Sequence, residues 1–218
     1  APLAYAVVGG TISNIKVHAV PYTDSEGKTV YPKVVAALPS GLVTWAYKGA
    51  TIENCTSDID VEMKLASDYA DKDKTLFASG LVAQAADATI TQCKYAPRDY
   101  FKFSSTYKTT KIYFGGIVGG TVKKQIDNTY HNPKLTISDC ASWYSHNDGA
   151  YTIGSIIGRA YYISDKGNEN VDGVNKTACQ GNWWPSGITG VGNISAVGGD
   201  EKIIGKKSSV NPDKPVFD

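Results

Sequence analysis

The chain reads as all-β: a parallel right-handed β-helix, or β-solenoid, of about four to five coils with loop insertions. Three observations predict this. A short phrase, a small residue with aliphatics and later an aliphatic followed by Cys, recurs at a nearly fixed period. Within each copy the apolar residues cluster and alternate as strands do, and no segment sustains a capped helical stripe. The segments between copies differ in length, as loops do when they project from the flank of a stack.

The copies follow in order. Ser40-Gly41-Leu42-Val43 leads to Ile52-Glu53-Asn54-Cys55, and Ser79-Gly80-Leu81-Val82 leads to Ile90-Thr91-Gln92-Cys93. Gly115-Gly116-Ile117-Val118 leads to Ile137-Ser138-Asp139-Cys140, and Gly154-Ser155-Ile156-Ile157 leads loosely to Cys179. A headless first copy, Pro2-Leu3-Ala4 with Ile12-Ser13-Asn14-Ile15, carries Ile in place of Cys. The small-residue site falls at 2, 41, 80, 116 and 155, steps of 39, 39, 36 and 39. Small residues there mark places where coils bend tightly or stack closely.

Each copy supplies about three short strands. Val7-Val8, the turn Gly9-Gly10 and the restart Thr11-Ile12 are echoed by Lys48-Gly49-Ala50-Thr51-Ile52 and Ala86-Asp87-Ala88-Thr89-Ile90. After Cys55 the chain alternates from Thr56 to Met63, which predicts a third strand lying half exposed. The long insertions are 68–75, 97–110, 123–134 and 164–176. An antiparallel sandwich would need hairpin signals at regular spacing, and Asp148-Gly149 and Asp172-Gly173 do not repeat. The solenoid domain is therefore assigned to 1–190, with 191–218 a terminal cap or loosely held tail.

Composition narrows the function classes. Across 218 residues, 22 basic side chains meet 21 acidic ones, for a net charge of +1. That balance supplies no electrostatic case for nucleic acid or an anionic membrane. No apolar run reaches bilayer-spanning length. The chain opens inside a repeat, which reads as a piece of a longer protein. A position that accepts Ile15, Cys55, Cys93 or Cys140 behaves as a small buried hydrophobe, so free buried thiols are favoured over disulfides or a metal site.

The phrase Gly-Leu/Ile-Val, a turn, then Thr-Ile-x-x-Cys resembles the GLUG-type repeat. The likeness rests on Gly41-Leu42-Val43 with Ala50-Thr51-Ile52-Glu53-Asn54-Cys55, Gly80-Leu81-Val82 with Ala88-Thr89-Ile90-Thr91-Gln92-Cys93, and Gly116-Ile117-Val118 with Leu135-Thr136-Ile137-Ser138-Asp139-Cys140. The first copy matches through Gly10-Thr11-Ile12-Ser13-Asn14. Together these span roughly residues 2–190. The resemblance implies a β-helix-like, adhesin-like scaffold in a secreted or surface-anchored bacterial protein, many examples coming from gut-dwelling Bacteroidetes. It implies an extracellular or cell-surface location, lipid anchoring at an outer membrane included. It supplies no catalytic residues and no cofactor.

Candidate chemistry is sparse. Asp58, Asp60 and Glu62 lie two apart and would share one strand face. They are the best carboxylates for a polysaccharide lyase or glycosidase, although a solvated face accounts for them more simply. Asn168, Asn170 and Asp172 place oxygen ligands at alternate positions before Gly173, like the front of a calcium loop, but Cys179 stands where the closing Glu belongs. Asp68, Asp71 and Asp73 form a weaker cluster, and His18, His131 and His146 have no partner motif. Aromatics carry the stronger hint: Trp143-Tyr144, Tyr161-Tyr162 and Trp183-Trp184 sit beside the variable segments. Adjacent strand residues point to opposite faces, so one of each pair is expected outside, ready for a sugar ring or a protein partner. The favoured expectation is a non-catalytic surface module binding glycan or a host or neighbour-cell protein through loops and aromatics. A β-helix enzyme and a rigid spacer are the alternatives.

Overall fold

The computed structural model describes residues 1–65, 75–104, 111–122, 124–126, 129–131, 135–147, 151–160, 180–194 and 207–217. Their strands stack in parallel as a β-solenoid. The principal sheet orders Ala4–Val8, Val43–Glu53, Val82–Thr91, Val118–Thr121, Ile157–Ala160 and Val191–Ile194. Thr11–Ser13 and Leu135–Ser138 extend it alongside the long second and third strands. A second sheet stacks Thr75–Ser79, Lys111–Gly115 and Thr152–Gly154. A third stacks Lys16–Val17, Thr56–Ser57, Lys94–Tyr95 and Ala141–Ser142, and a fourth Lys33–Ala36, Asp60–Lys64 and Lys102–Ser104. The full turns number about three, with partial coils at either end, fewer than the four to five the period predicts.

The repeat register is the stacking register. Ile52 lies opposite both Ile12 and Ile90, and Ile90 opposite Ile137. Leu42, Leu81, Ile117 and Ile156 form a second fully buried ladder. Burying each such side chain contributes about 1.5–3 kcal/mol, and like residues stacked on like keep the core dense from coil to coil. Glycine spacing has an equally direct cause. A Cβ on Gly41 would meet the Gly80 carbonyl closer than 3.0 Å, one on Gly80 the Tyr95 ring, and one on Gly116 the Ser155 carbonyl.

The residue before the Ile/Cys position turns a corner in every coil. Asn14, Asn54, Gln92, Asp139 and Gly181 all have φ between 48° and 70°. Asn, Asp and Gly tolerate this left-handed conformation best, which explains the polar residue before each cysteine. Cys55, Cys93 and Cys140 are free and buried just past that corner. In the fifth coil the ladder position belongs to Asn182, because Ala141 bridges Trp183. The loose assignment to Cys179, which lies outside the described residues, is thereby corrected. Asn182 terminates the ladder with polar groups: its Oδ1 accepts from the Cys140 amide and its Nδ2 donates to the Ile137 carbonyl.

The described parts of the tail join the stack. Val191–Ile194 adds a strand to the principal sheet, so the solenoid continues past residue 190. Residues 207–217 then run back along the third sheet. The Ser208 amide donates to the Asn182 carbonyl in the last coil, and Lys94 Nζ reaches the Asp213 carbonyl in a middle one. Phe217 stacks on His18 in the first coil, with Lys16 Nζ 5.1 Å from its ring centre. Ten residues of extended chain reach ample distance to cross coils spaced about 4.8 Å apart.

Candidate functional site

The fourth sheet forms the floor of a cleft of about 420 Å³. Its central strand, Asp60–Lys64, alternates as the sequence predicts: Val61 and Met63 point into the core, Asp60 and Glu62 outward. One wall comes from the first coil, where the antiparallel pair Tyr22–Thr23 and Thr29–Val30 leads into Tyr31 and Lys33. Asp24 closes that hairpin by accepting the Glu26 and Lys28 amides. The other wall is the insertion after Cys93, with Arg98, Asp99, Tyr100 and Lys102. Three successive coils thus contribute to one cavity.

Its charges are largely paired. Lys33 pairs with Glu62, and Lys102 with Asp99. These contacts hold the Glu62 and Asp99 carboxyls below their ordinary range and raise the Lys102 ammonium. Asp60 behaves oppositely. Burial pushes its carboxyl up, although the Arg98 and Asp99 amides both donate to its Oδ1 at 3.0 Å. Each ring keeps open area, Tyr100 being 51% and Tyr31 43% exposed, although Arg98 lies against Tyr31 and His146 stacks on Tyr100.

Beneath the cleft sits a buried ionic node. Asp58, 2% exposed, accepts from His18 Nδ1 and from the Ala19 amide, each at 2.8 Å, and pairs with the Arg98 guanidinium. Arg98 also donates to the Asp58 carbonyl and lies 4.6 Å from the centre of the Tyr31 ring. The solvated strand face expected for Asp58 is therefore corrected. It stands in the turn after Thr56–Ser57, ahead of the strand that begins at Asp60, and is turned inward onto neighbouring coils. These contacts tie Asp58 to the first and third coils. Asp60 and Glu62 alone of the three carboxylates face the cavity.

The aromatic pairs divide as strand geometry requires. Tyr144, 2% exposed, and Trp184, 5% exposed, pack into the core, which leaves them little area for the ligand contact expected of them, although Tyr144 also lines a small cleft beside Tyr100. The partners Trp143 and Trp183 lie half-buried outside, ring centres 5.2 Å apart. Lys207 of the returning tail sits over both Trp183 and Trp184. Trp143 also lines a smaller cleft of about 100 Å³ beside Tyr100, where Tyr100 stacks on His146 at 4.1 Å. Tyr161, Tyr162, Asn168, Asn170, Asp172 and the Asp68 cluster lie outside the described residues.

Tyr31, Lys33 and Lys102 escaped the sequence reading. The first-coil insertion that carries Tyr31 and Lys33 hides inside a 39-residue step, the same length as the next, while Lys102 lies in the 97–110 insertion, where no motif singled it out. Among the described residues no group of three His, Cys, Asp or Glu side chains is placed to hold a metal ion. Nor is any helix there long and apolar enough to cross a membrane. Comparison with protein-family models, with curated proteins and with solved structures finds no match.

Proposed function

We propose that this chain is a non-catalytic, adhesin-like recognition module of a bacterial cell-surface or secreted protein, its ligand seated in the cleft between Tyr31 and Tyr100. The repeat's resemblance to GLUG-type sequences supports the location and the adhesin character. The observation that carries the reading is the cleft itself: two half-open tyrosine rings on loops from different coils, above a polar floor. Rigid scaffolds present recognition loops in this way, and open aromatics are typical anchors. An array bearing both glycans and extracellular proteins tests it, with Tyr31→Ala and Tyr100→Ala alongside the unaltered chain. Binding that falls with either substitution supports the proposal. Binding indifferent to both, or none at all, refutes it.

One observation favours a second reading. Asp60 and Glu62 share the cleft, and their surroundings push the two carboxyls in opposite directions, the pattern of an acid paired with a carboxylate partner. A polysaccharide hydrolase or lyase would use them so. Against it, Asp60 Oδ1 is engaged by two amides and Glu62 by Lys33 and Ser104. New reducing ends or unsaturated uronates released by the chain, and abolished by Asp60→Asn, would replace the first reading with this one.

A further inference from the structure

We infer that the ligand of this cleft is a short, neutral, hydroxyl-rich oligosaccharide; the inference rests on the recognition role just proposed. Charge comes first. The cations around the cleft are mostly spoken for: Lys33 by Glu62, Lys102 by Asp99 and Arg98 by Asp58. Binding a carboxylated or sulfated ligand would require breaking such pairs or placing its charge beside Asp60, Glu62 and Asp99. Only Lys28 stands as a lining cation without a carboxylate partner in the described structure. A neutral ligand meets no such opposition.

The paired groups keep capacity for hydroxyls. A carboxylate in one ion pair still has free lone pairs, and an ammonium in one ion pair has two further N–H groups. Along the floor, acceptors and donors lie side by side: Asp60 opposite Lys33, and Glu62 opposite Lys102. A vicinal diol, in which each hydroxyl both donates and accepts, matches such a row. An apolar peptide side chain does not, because it would bury these charges without compensation. The tyrosines supply the other half of sugar recognition, a flat face for the ring's C–H side and a hydroxyl at its rim. A volume of about 420 Å³ also lies within the range of small-molecule sites, where a flat protein epitope would need no cavity.

The test is titration of the full chain with neutral hexasaccharides of glucose, mannose and xylose, and with hexagalacturonate as the acidic probe. Each titration is run at low and at high salt. At least one neutral probe is expected to bind, with affinity changing less than about threefold between the two salts, since no charge is exchanged. Tyr100→Ala should weaken it about tenfold or more, the loss of one stacking contact and its buried area. Glu62→Gln, which keeps an acceptor at the same place, should weaken it less than Glu62→Ala. Binding of hexagalacturonate alone, with steep salt dependence, overturns the neutral class and leaves the recognition role standing. Failure of every saccharide, with cleft-dependent binding to a protein on the array, likewise overturns the inference alone. Failure of both overturns inference and role together.

Discussion

Replacing Asp58 should test whether the buried node holds the coils in place. Its carboxylate ties His18 and Ala19 of the first coil to Arg98 of the third. Removing one member of a fully buried ion pair costs about 3–5 kcal/mol. Here the figure is discounted, because the His18 and Arg98 side chains are 19% and 30% exposed and water can take over part of the lost contact. Each of those pairings is then worth about 0.5–1 kcal/mol. The Ala19 amide has no such recourse, since Ala19 is fully buried, and orphaning it costs about 1–3 kcal/mol. Asp58→Ala should therefore lower stability by about 2–5 kcal/mol, and Asp58→Asn, which can still accept from Ala19, by about 1–2 kcal/mol. In urea, with a slope of about 2–3 kcal/mol/M, the alanine variant's midpoint should fall by about 0.7–2.5 M at unchanged slope. Arg98→Met in both backgrounds completes a cycle whose coupling should exceed about 0.5 kcal/mol. A midpoint for Asp58→Ala within 0.2 M of the unaltered chain, at the same slope, would refute the reasoning, as that is about 0.5 kcal/mol.

Three further outcomes are expected. Gly80→Ala should destabilise by about 1–3 kcal/mol or more in the same urea assay, because its Cβ falls on the Tyr95 ring, itself fully packed; Gly10→Ala, with open space around it, should suffer only from its left-handed φ. The thiols of Cys55 and Cys93 are pushed up, first by hydrogen bonds within the cysteine ladder and then by burial, and burial pushes the Tyr95 hydroxyl up as well. A raised folded value means stability that is complete below the unfolded pKa and lost above it. Thermal midpoints should thus decline from about pH 8.5 upward, and Ellman's reagent should react with these thiols only on unfolding. By the same sign, ionised Asp60 works against the fold at neutral pH. Asp60→Asn should be at least as stable as the unaltered chain at pH 7, the difference vanishing below about pH 4 as both states take the proton.

Much of this scaffold was legible because a solenoid writes its stacking register into its period. Gly41 and Gly116 meet the small residue of the next coil, and Ile52, Ile90 and Ile137 share one ladder, so the one-dimensional repeat and the three-dimensional contact are the same fact. Legibility ended where contacts leave the repeat. Asp58 looks like one of three alternating acids; its burial depends on a His one coil back and an Arg one coil on, at positions no local pattern links. The returning tail contacts coils nearly two hundred residues earlier in sequence, as Phe217 does His18, and its Asn-Pro-Asp-Lys-Pro composition signals only an extended chain. Tyr144 and Trp184 were distinguishable from Trp143 and Trp183 only by register, and a one-residue slip reverses which of each pair is inside.

Scaffold and cleft are mechanically one object. Arg98 touches Asp58 below and the Tyr31 ring above, so the guanidinium that closes the buried node also carries one wall of the cavity. The opposite wall, Asp99 to Lys102, begins at the next residue, and the amides of Arg98 and Asp99 are both pinned to Asp60 on the floor. Width of the cleft is therefore set by contacts between the first, second and third coils rather than by the loops' own conformations. This separates two kinds of substitution. Changes at Tyr31 or Tyr100 should remove binding and cost folding little, because about half of each residue is exposed. Changes at His18, Asp58 or Arg98 should lower stability and binding together, since each shifts both walls at once. A loop-borne site on an indifferent scaffold would show no such coupling, and the correlation between the two losses across these five positions is what distinguishes the two designs.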